Sequence, residues 1–309
     1  MTIEDQIKNL PSQFSWQPSV INKDQLQKSS TAIVAAMGGS HLGAHLYQCW
    51  QPKPEMSVHS DFRLPPYFGQ PLVMSFSYSG RTAETLSAAN EALDKNMPVF
   101  IAASDGPLLE LAQAKALPHV EIGPKGLIPR LTIGYFFKIL ADYFGTTTDP
   151  IHSQEDKIAE EARKIAENLK DSLPVVMSSN RNYILPLNAR AQLSETAHHP
   201  VFDLYLPEAN HHQMAGIIEG AKKGVNLKVL FFADDEDSPE LISSMARLSD
   251  FYRQNGVETT VINLAGENRL EKLISAIMMT NYIGLELGRL NNINTSEPSV
   301  IEEFKLGAK

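Results

Sequence analysis

Pro71–Glu84 reads PLVMSFSYSGRTAE. The apolar run Pro71–Phe76 ends in small hydroxyl residues and a glycine, and a helix-like segment, Thr82–Lys95, follows. A continuous apolar run feeding a helix is the pattern of a buried parallel strand in a βαβ unit. The same pattern lies on either side. Thr31–Met37 (TAIVAAM) runs into Gly38-Gly39-Ser40. Pro98–Ala103 (PVFIAA) runs into Ser104-Asp105-Gly106 and a helix-like Pro107–Ala116.

The second half repeats it. Tyr183–Leu187 is expected as a strand leading to a helix from Ala189. Leu227–Ala233 leads through Asp234-Asp235-Glu236-Asp237 to a helix over Pro239–Gln254, and Glu258–Leu264 leads to a long helix over Glu267–Arg289. The polar stretch Gly145–Asp156 joins the halves, Asp149-Pro150 interrupts any continuing helix, and a charged helix, Lys157–Lys170, follows. Asn291–Pro298 reads as loop and Ser299–Leu306 as a last short helix. The expected organisation is therefore residues 1–150, 151–290 and a tail, 291–309. The fold class is α/β, each half a three-layer α/β/α sandwich with a mainly parallel sheet. In such sheets ligands bind beyond the carboxyl ends of the strands, where the motifs below sit.

Composition narrows the partners. The 309 residues are 43% hydrophobic and 20% charged, which is ample for packed cores. With 27 Lys+Arg against 36 Asp+Glu the net charge is −9, which argues against nucleic acid as a partner. Cys49 is the only cysteine, so an intramolecular disulfide and a Cys-rich zinc site are excluded. No apolar stretch approaches the roughly 20 residues of a membrane helix, and the start, Met1-Thr2-Ile3-Glu4-Asp5, lacks a basic leader. The expected setting is cytoplasmic, without a membrane partner.

Four segments can carry chemistry. Gly38-Gly39-Ser40 opens a helix, where an anion can approach backbone amides; a plain tight turn reads the same way. Ser77, Ser79 and Thr82 cluster at a strand-to-helix junction, a neutral phosphate cradle of hydroxyls and amides. The competing reading is a capping segment with Thr82 as N-cap. Pro129-Arg130 places a guanidinium before an apolar helix, suited to a phosphate or a developing oxyanion, or else merely exposed. Arg190–Ala215 holds Glu195, His198, His199, Asp203, Glu208, His211 and His212. A carboxylate with an imidazole suits proton transfer. A metal reading is disfavoured because His-Glu-x-x-His is absent. His198 and His212 fit surface positions.

Taken in order, these residues resemble the bifunctional phosphoglucose/phosphomannose isomerase family, built from two sugar-isomerase (SIS) domains. The likeness runs over nearly the whole chain: Gly-Gly-Ser, Ser-Tyr-Ser-Gly-x-Thr-x-Glu-Thr, Pro-Arg before a Gly-Tyr-Phe-Phe helix, Glu-x-Ala, Pro-Glu-x-Asn-His, and a final lysine. The resemblance implies interconversion of glucose 6-phosphate, and mannose 6-phosphate, with fructose 6-phosphate through a cis-enediol(ate). It implies phosphate binding by Gly39, Ser40, Ser77, Ser79 and Thr82. It makes Glu195 the base, His211 the ring-opening group donated across a homodimer, Arg130 the stabiliser of the enediolate, and Lys305 a contact to the sugar from the tail. No metal or organic cofactor is implied. The family's C-terminal threonine falls near Thr295 or Ser296.

The chain departs from the family at four places: His41 for glycine, Arg81 for asparagine, His198 for a lysine, and His212 for asparagine. These departures keep isomerisation of another phosphosugar in play. A non-catalytic sugar-phosphate-binding SIS protein is the other alternative. It is disfavoured by Glu195, His211 and Arg130 occurring together, since binding alone needs no base.

Overall fold

The computed structural model describes residues 1–293. The chain divides into two compact units, Met1–His152 and Ser153–Lys309. Both are mixed α/β with sheets rich in parallel strands.

The first unit opens with α1 (Ile3–Lys8) and β1 (Val20–Ile21). It continues with β2 (Ala32–Ala36), α2 (Gly38–Trp50), β3 (Met56–His59), β4 (Leu72–Phe76), α3 (Ala83–Asp94), β5 (Val99–Ala103), α4 (Gly106–Ala114), β6 (His119–Glu121) and α5 (Ile133–Tyr143). The sheet order is β1-β6-β5-β4-β2-β3. Only β1 runs antiparallel, beside β6. Every residue of β2, β4 and β5 is buried, which is why these strands are continuously apolar rather than alternating.

The second unit has α6 (Glu155–Leu169), β7 (Leu173–Ser179), α7 (Ile184–Thr196), β8 (Phe202–Leu206), α8 (Ala209–Lys222), β9 (Leu227–Ala233), α9 (Pro239–Gln254), β10 (Glu258–Asn263) and α10 (Arg269–Leu290). Its sheet is parallel throughout, in the order β10-β9-β7-β8. Val175, Met177, Val229 and Phe231 pack with Met245, Leu248 and Tyr252 in one apolar cluster.

The structure corrects one expectation. Tyr183–Leu187 is not a strand. Ile184 begins α7, and Ile184, Leu185, Pro186 and Leu187 are all buried in it. The strand is β7, Leu173–Ser179, which ends four residues before Tyr183 and contains Pro174. A helix buried on most sides loses its 3.6-residue alternation and reads like a buried strand. Gly38-Gly39-Ser40 opens a helix as expected and forms the first turn of α2. The tail 291–309, with Thr295, Ser296, Lys305 and the helix expected over Ser299–Leu306, lies outside the described residues apart from 291–293. Among the described residues no helix is long and apolar enough to cross a membrane.

Candidate active site

In the first unit the candidate residues sit beyond the carboxyl ends of β2 and β4, which are neighbours in the sheet. Ser77 is buried and ends the apolar run of β4. Its Oγ lies 2.9 Å from the Thr82 hydroxyl and accepts the Gly80 amide at 3.1 Å. Thr82 occupies the N-cap position of α3, yet its side chain makes no capping bond. The hydroxyl pair is therefore spent across the loop and not on the helix, which favours a cradle over a capping segment. The first amides of α3 have no partner within the helix and face the same junction.

Gly80 has φ +65°, and a Cβ there would fall 1.7 Å from the Asp105 carbonyl oxygen. Only glycine permits this crossing of the β4 and β5 loops. The Tyr78 carbonyl accepts both the Ser104 amide, at 2.9 Å, and the Ser104 hydroxyl, at 2.7 Å. The Tyr78 amide donates to Ser40 Oγ at 3.0 Å, which ties the cradle to the first turn of α2.

Arg130 lies in a short 3-10 turn, Pro129–Leu131, just before α5. This turn presses on Gly39: a Cβ on that glycine would fall 2.2 Å from the Pro129 carbonyl oxygen and 2.4 Å from the Arg130 nitrogen. Gly39, Ser40, Ser77, Thr82 and the Pro129-Arg130 turn are thus brought together through Tyr78 and direct backbone contact. Ser79, half-buried, receives the Arg81 amide on its Oγ at 3.3 Å.

In the second unit Glu195 is the second-last residue of α7 and is half-buried. The end of that helix is held firmly. Asn291 Nδ2 donates to the Ala197 carbonyl at 3.2 Å, and the His199 amide donates to the Leu193 carbonyl at 2.9 Å. His199 is buried with Nε2 2.8 Å from the Ser172 carbonyl, a structural position. His211 is exposed in the first turn of α8, its amide bonded to the Glu208 carbonyl at 3.0 Å. Asp203 is held by Arg190 at 3.1 Å and by the Tyr205 hydroxyl at 2.6 Å, so it balances an arginine.

A further cluster lies at the ends of β7 and β9. The Asp234 carboxylate is buried against Arg181 and Arg269, each at 3.0 Å, and against the Asn182 amide at 3.0 Å. Lys272 pairs with Asp235 at 2.5 Å and Glu236 at 2.8 Å. Asp234, Asp235 and Glu236 lie close enough together to hold a cation, but three basic side chains already neutralise them.

Residues 158–306 match the family model for the bacterial phospho-glucose isomerase C-terminal SIS domain. A bifunctional phosphoglucose/phosphomannose isomerase of Aquifex aeolicus is 24% identical over 97% of this chain and 96% of its own. One from Thermoplasma volcanium is 26% identical over 90% of this chain and 91% of its own. The chain is a relative of the bifunctional phosphoglucose/phosphomannose isomerases. Among solved structures, the C-terminal domain of glucosamine-fructose-6-phosphate aminotransferase from Francisella tularensis superposes with a TM-score of 0.73 at 13% identity, covering 96% of each chain. That likeness concerns the fold.

The four departures from the family pattern can now be located. His41 lies in the first turn of α2 with Nδ1 bonded to the Gly38 carbonyl, and its ring meets His45 edge-on at 5.0 Å. Arg81 is exposed, donating to the Ser79 carbonyl at 3.0 Å and pairing with Asp105 at 3.4 Å. His198 is exposed with φ +47°. His212 is exposed and pairs with Glu208 at 2.7 Å.

Sequence reasoning passed over Tyr78, Ser104, Gln6 and Gln13. Gln13 donates to the Leu131 carbonyl at 2.7 Å and accepts the Gly134 amide at 2.9 Å, and so joins the end of the turn that carries Arg130 to the start of α5. A glutamine near the N-terminus carries no motif that would reveal this.

Proposed function

We propose that the chain is an aldose–ketose isomerase that interconverts glucose 6-phosphate, and mannose 6-phosphate, with fructose 6-phosphate. The observation carrying this reading is the Ser77–Thr82 hydroxyl pair, which is set at the start of α3 without capping it, in a relative of the bifunctional isomerases. Each unit is then an SIS-type three-layer sandwich, and the setting is cytoplasmic.

Hydroxyls of Ser77, Ser79 and Thr82, with the amides of Gly39 and Ser40, bind the phosphate. His211, from the partner subunit of a homodimer, assists ring opening. Glu195 takes the C2 proton of the open aldose. The C2–H electrons form the C1=C2 bond, and the carbonyl electrons move to O1 as an enediolate, which Arg130 stabilises. Glu195 returns the proton to C1, the O2 proton leaves as the C2 carbonyl forms, and O1 is protonated. No electrons leave the sugar. The two aldoses differ only at C2, which is planar in the enediolate, so one base serves both. Lys305 contacts the sugar.

Replacing Glu195 with glutamine removes the base at constant size. Turnover is expected to fall by about 10²–10⁴-fold with sugar-phosphate binding nearly unchanged. Turnover retained in that variant overturns the assignment of the base. Mixing E195Q with H211A subunits tests the shared site, because a hybrid dimer regains one complete set of groups.

A further inference from the structure

Two consecutive amides ahead of Arg130 are held by side chains from elsewhere. The Leu127 amide donates to the Tyr78 hydroxyl at 2.9 Å, and the Ile128 amide donates to Gln6 Oε1 at 2.8 Å. The same phenol donates to the Pro124 carbonyl at 2.6 Å. Tyr78 is buried, and burial raises its phenol above the ordinary value, so it remains a neutral hydroxyl that donates and accepts.

Tyr78 therefore ties its own loop to three segments, the first turn of α2, the loop after β5 and, third, the loop ahead of Arg130. Its backbone holds Ser40 and Ser104, and its side chain holds 124–127. A second link runs between the cradle and that third loop: Arg81 and Lys125 both face Asp105, at 3.4 and 3.9 Å. All three of those side chains are more than half exposed, and exposed ion pairs of this kind contribute little. The buried phenol is the stronger tie.

We infer that Tyr78 is a positioning residue that sets the Arg130 loop against the phosphate cradle. Gln6 supports the loop from outside the cradle. The inference rests on the isomerase reading for its kinetic consequence, but the mechanical link stands apart from it. Tyr78→Phe leaves the backbone bonds to Ser40 and Ser104 in place and removes only the grip on 124–127. Gln6→Ala loosens the same loop without touching the cradle.

Both variants are therefore expected to lose kcat by about tenfold while KM stays within about twofold, because the arginine is misplaced and the phosphate is not. Hydrogen exchange over residues 123–131 is expected to speed up severalfold in each. Saturating inorganic phosphate is expected to slow exchange there in the wild type but not in Y78F. KM and kcat changing together, or exchange over 123–131 left as in the wild type, overturns the inference. If the wild type turns over no hexose phosphate, the isomerase reading fails by itself, and the exchange experiment with inorganic phosphate still decides the role of Tyr78.

Discussion

The loops after β4 and β9 hold the same place in two sheets. Read as β5-β4-β2-β3 and β10-β9-β7-β8, the two strand orders correspond term by term. In each, the loop follows the strand beside the unit's central first strand and leads into a helix. The first loop is Ser77-Tyr78-Ser79-Gly80, neutral and rich in hydroxyls. The second is Asp234-Asp235-Glu236-Asp237, acidic and matched by Arg181, Arg269 and Lys272. In the proposed reading one loop presents donors to an arriving anion, while the other satisfies its charge from neighbouring elements. The fold supplies the position, and the loop decides whether it becomes a site.

Asp234→Ala is the strongest way to break the comparison. It strips the buried partner from Arg181 and Arg269, and removing one side of a buried ion pair costs about 3–5 kcal/mol. Chemical denaturation should show that loss, while phosphate affinity per folded molecule stays unchanged. A loss below about 1 kcal/mol would mean that the cluster is not structural.

Ser77→Ala strikes the other loop. Here stability should change little and phosphate affinity should fall by roughly tenfold or more, the worth of a hydrogen bond to a charged group. The drop should be equal for both hexose phosphates and for inorganic phosphate, since the proposal assigns the hydroxyl to the phosphate alone. Unequal losses would move Ser77 away from the phosphate.

Acid separates His45 in α2 from the acidic loop by pH window. Burial, reinforced by neighbouring His41, pushes the His45 imidazole in α2 down to about 3. Between that value and the ordinary 6.5 the unfolded chain takes up a proton that the folded chain refuses. Stability therefore falls as pH falls, by about 1.4 kcal/mol at pH 5.5. Burial of Asp234 raises its carboxyl, but bonds from Asn182 and the Glu236 amide, with Arg181 and Arg269, bring it below the ordinary 3.8. Its contribution is full above the unfolded value and is lost only as pH drops through the lowered one. His45→Gln should thus flatten the limb above pH 4 and leave the lower limb in place. A limb unchanged in that variant would assign the titration elsewhere.

Arg81→Ala should do least. Its pair with Asp105 is exposed on both sides, so stability should move by less than about 1 kcal/mol. A larger change would make the exposed link, and not the Tyr78 phenol, the main tie across these loops.

Much of this was legible in the residues. The apolar runs before Gly38, Ser77 and Ser104 are strands because fully buried parallel strands need no alternation; β9 is nearly as buried, whereas β10 lies at the sheet edge and is mostly unburied. The small residues after the first two runs mark the loops to which the proposed cradle is assigned. The second unit's first strand was not legible. Pro174 in β7 argues against a central strand, and the buried start of α7 imitates one. Tyr78 and Gln6 were invisible for another reason. Their partners are backbone groups 46 to 122 residues away, and no spacing rule records such bonds.

The most direct measurement is fructose 6-phosphate formation by the purified protein from glucose 6-phosphate and, separately, from mannose 6-phosphate, with a chelator present. The account predicts turnover of both, unaffected by the chelator. Binding of both sugar phosphates with turnover of neither would contradict it.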